Sequence, residues 1–181
     1  AGQNTAVGYQ ALLSNTTATN QTAVGYQALK NATGASNTAV GNSALLANTS
    51  GTKNIAVGAG SLIANTTGGS NTAVGHQSML ANTTGSGNVA YGISALFDNV
   101  SGNNNTAIGN QALQENTATA NTAVGYKALE ENTTGTGNVG LGYEAADNNT
   151  TGANLTALGY EALSANTTAS NNTAVGYQAL T

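Results

Sequence analysis

The chain contains no cysteine, no proline and no tryptophan, and only 6% of its residues are charged. Without cysteine there is no disulfide framework, no thiolate zinc site and no cysteine nucleophile. An ordinary soluble domain carries about 25% charged residues. The shortage here, with a formal net charge of -4, leaves no basic field for a phosphate backbone, so nucleic acid is not an expected partner. No apolar run approaches the roughly 18 residues of a membrane span, which argues against membrane insertion by this segment. No charged region precedes an apolar stretch at the start, so an export signal would lie outside it. Aromatics make up 4% of the 181 residues, too few for a thick core of large side chains.

In their place stand 27 Asn, 28 Thr and 24 Gly. That composition suits a disordered polar tract, but the order of the residues does not. A step of a small residue, a larger apolar one and glycine recurs at Gly8, Gly25, Gly41, Gly58, Gly75, Gly92, Gly109, Gly125, Gly142, Gly159 and Gly176, with spacings of 16 or 17 throughout. The period leaves no room for a linker or an inserted catalytic loop, so residues 1–181 read as one repeat domain, a segment of a longer fibre or a filament subunit.

The columns of the repeat are numbered here from this glycine. Column −1 is apolar: Val7, Val24, Val40, Val57, Val74, Tyr91, Ile108, Val124, Leu141, Leu158 and Val175. Column −2 is Ala except at Gly140, and column +4 is Leu except at Met79 and Ala146. Asn recurs at −4 and at +7. Helical solenoids need two helices per unit and periods above about 30 residues. A 17-residue unit instead suits one coil of an all-β parallel solenoid, a β-roll whose coils stack about 4.8 Å apart. Eleven glycines imply about ten coils and a rod on the order of 50 Å long.

The glycines read as structural turn positions that need positive φ or a close backbone approach. Gly58-Ala59-Gly60 lacks the strand-helix context and the Lys-Ser/Thr of a phosphate loop, and no cofactor is expected. The Asn columns read as amide ladders. Strand parity puts Thr5 and Val7 on one face and Ala6 on the other. Both faces are then fairly apolar, so column −1 (Val7, Val24, Val40, Val57, Val74, Ile108, Val124, Leu141, Leu158 and Val175) is expected to line a core or an interface with a second copy.

Asn-Thr-Ala-Val-Gly-Tyr-Gln-Ala-Leu, nearly whole at 4–12, 121–129 and 172–180, resembles the head repeats of trimeric autotransporter adhesins, the YadA-like left-handed parallel β-roll. It is also similar to β-roll stretches of phage tail fibres and other surface fibres. The resemblance covers the whole chain, with a coil lengthened by an added Asn-Thr-Thr-Gly-Ser turn. It implies an extracellular, non-enzymatic homotrimer on a cell surface or virion, with a host-surface or matrix receptor or glycans as partners. An uncapped solenoid also invites end-to-end filament formation.

Catalytic chemistry is hard to place. His76 is the only histidine and sits in a variable column, and Asp98 and Asp147 are isolated, so neither catalytic nor metal residues are expected. Lys127, Glu144 and Glu161 share a column, which predicts a Lys127–Glu144 pair and a Glu144–Glu161 repulsion. Tyr9 and Tyr26, and Tyr126, Tyr143, Tyr160 and Tyr177, predict two stacked ladders that could also offer a sugar-binding stripe. The Asn-x-Thr/Ser pattern makes Asn15, Asn31, Asn48, Asn65, Asn82, Asn99, Asn132, Asn149 and Asn166 candidate glycosylation sites, Asn31 standing one place early in a shortened copy. Paired threonines at 16–17, 66–67, 83–84, 133–134 and 167–168 raise ice binding as an alternative function, but adjacent residues point to opposite sides.

Overall fold

The computed structural model describes residues 2–181, and these form a parallel β-solenoid without helices. Each coil contributes one three-residue strand: β1 (Thr5–Val7), β2 (Thr22–Val24), β3 (Thr38–Val40), β4 (Ile55–Val57), β5 (Thr72–Val74), β6 (Val89–Tyr91), β7 (Thr106–Ile108), β8 (Thr122–Val124), β9 (Val139–Leu141), β10 (Thr156–Leu158) and β11 (Thr173–Val175). They pair in chain order into one parallel sheet. Register follows the repeat: Thr5 faces Thr22, Ala6 faces Ala23 and Val7 faces Val24, and so on up the rod.

The ladder does not stop where the strands stop. Gln27 N–H donates to Tyr9 C=O at 2.8 Å in the coil before, and Leu29 N–H to Ala44 C=O at 3.0 Å in the coil after. Short strands therefore understate the pairing, since most of each coil's backbone is bonded to a neighbouring coil, as buried amides require.

The glycine column meets both expectations at once. Its φ runs from +131° to +148°, and a Cβ on Gly75 would lie 2.3 Å from the carbonyl oxygen of Gly92. A feature that the sequence does not announce is column +4, where Leu12, Leu29, Leu45, Leu62 and their equivalents adopt φ of +49° to +58°. The left-handed conformation costs an L-residue roughly 1–2 kcal/mol. Full burial of a leucine side chain is worth about 1.5–3 kcal/mol, and these leucines are fully buried from Leu29 to Leu129. Burial outweighs the torsional cost and turns the chain inward.

The core is a thin axial stack of Ala from column −2, Ala or Ser from column +3 and Leu from column +4, with the two Asn columns beside it. The buried hydroxyls of Ser61 and Ser78 donate to Ala73 C=O and Ala90 C=O. At Gly140, the one departure from Ala in column −2, a Cβ would stand 3.0 Å from Leu129 Cγ, so Leu129 occupies the room a methyl would take.

Between the two places open to the valine column, a core or an interface, this chain's own core is not the one it takes. Ala6, Ala23 and their equivalents face inward, and Val7, Val24, Val40, Val57, Val74, Ile108, Val124, Leu141, Leu158 and Val175 all point outward. They are not part of this chain's own core. The interior is narrow enough that the smaller residue of the Ala-Val step takes the inside place.

Candidate interaction surface

The outer face of the sheet is built by columns −3 and −1. Column −3 carries Thr in eight coils and Ile55, Val89 and Val139 in the others, and column −1 carries the valines and their equivalents. Neither column holds a charged residue. Val57 is 36% exposed, Ile108 40% and Leu158 43%, so the face is apolar and open along its length. The β-branched Val, Ile and Thr side chains of these columns hold few rotamers, so the surface is stiff.

Beside it runs column +1 with the tyrosines. Tyr9 and Tyr26 stack with centroids 5.3 Å apart; Tyr126, Tyr143, Tyr160 and Tyr177 follow at 5.1, 4.9 and 5.2 Å. Each inner ring has both faces covered by its neighbours. A sugar stacks on an aromatic face, and these ladders present edges and hydroxyls instead. Between them the column is interrupted by Asn42, Ala59, exposed His76, Ile93 and Asn110.

Lys127 departs from its expected partner. Its Nζ lies 3.1 Å from Glu130 in the same coil, the carboxylate that holds the ammonium above its usual pKa, and not on Glu144. The Glu161 carboxylate accepts from Gln178 Nε2 at 2.7 Å, which relieves the Glu144–Glu161 repulsion from the far side. Asp147 is pushed up to about 6 by partial burial first, and then by the negative fields of Glu144 and Glu130. Its Oδ1 is buried without a partner. Among the described residues no three His, Cys, Asp or Glu side chains converge on a metal position.

The raised Asp147 pKa fixes the sign of a pH effect. The fold binds this proton more tightly than the unfolded chain does, so the stabilisation is complete below pH 4 and is lost as the pH rises through 6. For a half-exposed group, screened by solvent, the loss is on the order of 1 kcal/mol. Urea midpoints taken between pH 4 and 7 are expected to fall for the native chain and to change much less for Asp147→Asn.

The amide ladders are fully internal. Asn37, Asn54, Asn71, Asn88, Asn105, Asn121 and Asn138 of column −4 are completely buried. The Oδ1 of each accepts the backbone N–H one coil on, as in Asn88 N–H to Asn71 Oδ1 at 3.0 Å, while Nδ2 donates to a turn carbonyl, as in Asn71 to Gly85 at 2.8 Å. Column +7 forms a second ladder: Asn65 Nδ2 to Asn48 Oδ1, Asn82 to Asn65, and Asn99 to Asn82. It restarts at Asn116 and continues through Asn132, Asn149 and Asn166.

Both 16-residue coils break this second ladder. In the first, Ala32 takes the buried +7 place and Asn31 is left on the surface. In the second, the shortened turn draws Asn116 Nδ2 to Ala118 C=O, and Asn99 Oδ1 is buried without a donor.

These contacts place most of the glycosylation candidates inside the folded rod. Asn48, Asn65, Asn82, Asn99, Asn132 and Asn149 are fully buried, and the Nδ2 of each is already a donor. Asn15 and Asn166 are half-buried and likewise bonded through Nδ2. Only Asn31 of the nine is exposed. Five further Asn-x-Thr sequences lie outside column +7, at Asn20, Asn104, Asn148, Asn154 and Asn171, and all five are exposed.

Compared with protein families, curated proteins and solved structures, the chain has no match.

Proposed function

We propose that this chain is a non-catalytic structural and adhesive element of an extracellular fibre, one that self-associates side by side through its outward Thr/Val face. The observation that carries the reading is that face: a stiff, uncharged strip on the order of 50 Å long, with its valine column open to solvent. A patch of this extent, on the order of 500 Å², matches the largest that monomeric proteins expose, and such patches are often functional. Two such strips pressed together cover on the order of 1,000 Å², the lower bound for a biological interface. The resemblance of Asn-Thr-Ala-Val-Gly-Tyr-Gln-Ala-Leu to adhesin head repeats favours three chains, and a receptor or glycan on a host surface or matrix is the partner such a fibre would display itself to.

The paired threonines do not favour ice binding. In the three middle pairs the first threonine spends its hydroxyl proton along the rod: Thr66 donates to Thr83 C=O, Thr83 to Val100 C=O and Thr133 to Thr150 C=O. A single exposed column per pair is left.

The double variant Val57→Lys, Val74→Lys places two ammonium groups on the face while touching no buried side chain. Light scattering is expected to give a single-chain mass for it, with an unchanged β-type circular dichroism spectrum. A mass equal to that of the native assembly would count against this face as the contact.

A further inference from the structure

We propose that Asn20, Asn104, Asn154 and Asn171 are acceptors for N-linked glycosylation by a transferase that works on the folded chain. All four stand in column −5, and each spells Asn-x-Thr: Asn20-Gln21-Thr22, Asn104-Asn105-Thr106, Asn154-Leu155-Thr156 and Asn171-Asn172-Thr173. The column is the corner of the coil that precedes the strand. Its residues take φ of +58°, +57°, +56° and +63°, a left-handed conformation that asparagine accepts more readily than most residues. The corner turns their side chains into solvent, where all four are exposed.

The amides are chemically free in a way the ladder amides are not. Among the described residues, Nδ2 of Asn20, Asn104 and Asn171 donates to nothing, and Nδ2 of Asn154 makes one long contact of 3.3 Å with Asn171 Oδ1. The threonine of each sequence opens a strand and points outward from the sheet, with the one residue between the amide and the hydroxyl fixed by the coil. Column −6 beside them carries only Gly, Ala, Ser, Thr and Asn, so nothing bulky or charged stands on that side of the four amides. Where Gly69 and Gly87 thin it further, a shallow, open depression of about 560 Å³ runs along Ser70, Ser86, Asn103 and Asn104. Its size is in the range of small-molecule sites, which gives a first sugar on Asn104 a place to lie.

In the reaction the sugar arrives as a glycosyl diphosphate. The anomeric C–O bond breaks, the diphosphate leaves with the electron pair, Asn Nδ2 bonds to the anomeric carbon, and the amide proton passes to a base of the transferase. On a rod with so few charges, such glycans supply the hydration that its side chains do not.

The test uses the purified, folded Val57→Lys, Val74→Lys chain, whose column −3 threonines are not covered by a second copy, with UDP-glucose and a soluble N-glucosyltransferase first shown to modify peptides spanning Asn65 and Asn104. Intact mass and fragment mapping are expected to show hexose on Asn20, Asn104, Asn154 and Asn171, as well as on exposed Asn31, and none on Asn48, Asn65, Asn82, Asn99, Asn132 or Asn149. Replacing the four corner residues with Gln removes four hexoses. A folded chain that stays unmodified at the corner, or one that takes hexose on the ladder residues, would overturn the proposal.

Discussion

Gly75→Ala is expected to part the rod between two coils. The new Cβ would lie 2.3 Å from Gly92 oxygen, 2.6 Å from Gly92 carbon and 3.2 Å from Ile93 nitrogen, all backbone atoms of the next coil. None of these can swing aside as a side-chain tip would. Separating the coils breaks the bonds on either side, including Gly92 N–H to Val74 C=O at 2.8 Å, and the φ of +141° adds a torsional cost of about 1–3 kcal/mol. The sum exceeds about 4 kcal/mol, in the range reserved for disrupted cores and special backbone positions. Because stacked repeats can unfold piecewise, hydrogen exchange is the more informative measurement. Protection should collapse around β5 and β6 and persist at β9. Gly60→Gln is the control: its φ of +68° is one that Gln10, Gln27 and Gln77 adopt in the same column, and a Cβ there meets only Gln77 Cγ at 3.5 Å. That variant is expected to stay within about 1 kcal/mol of the native chain.

Asn71→Ala is the second large effect, and the ladder geometry sets its size. Gly85 C=O loses one donor but keeps Asn82 Nδ2 at 3.1 Å. Asn88 N–H loses its acceptor and is sealed from water. One orphaned buried donor costs about 1–3 kcal/mol and one lost bond about 0.5–1.5 kcal/mol, so a loss of about 2–4 kcal/mol is expected in chemical denaturation. Asn71→Asp separates the two functions. The carboxylate still accepts from Asn88 but faces Gly85 C=O with a charge, so its deficit should shrink as the pH falls and the acid is protonated. An Asn71→Ala chain as stable as the native one would mean that the ladder is not a stabilising element.

How far the sequence carries can be judged residue by residue. The 16 or 17-residue spacing and the Gly column were enough for the solenoid, because a like-on-like stack is the only arrangement in which eleven glycines at one period all serve one backbone purpose. Parity placed Ala6 and Val7 on opposite sides but not which side was inside, since that depends on the diameter of the coil. The diameter is set by leucines at positive φ, such as Leu29 at +49°, a conformation no propensity argument assigns to leucine. Asn-x-Thr at column +7 looked like a surface signal because the pattern is local, whereas the burial of Asn65 comes from the coils above and below it. The exposed corner sequences are hard to read for the opposite reason: Asn fills column −5 in only four of eleven coils, so Asn20 and Asn104 do not advertise a column. The 16-residue spacings were legible as numbers, but their consequence, Asn99 Oδ1 left without a donor, needs the position of Asn116 Nδ2. Lys127 chose Glu130 over Glu144 because a carboxylate three residues on in the same coil was within reach.

Self-association through the outward Thr/Val face is the claim on which the functional reading turns. Light scattering of the unmodified chain across a hundredfold concentration range, with negative-stain images of the same sample, tests it most directly. The account predicts a discrete species of three chains seen as short rods on the order of 50 Å long. A single-chain mass at every concentration would contradict it, and long fibres repeating once per subunit would move the contact from the face to the ends of the coil.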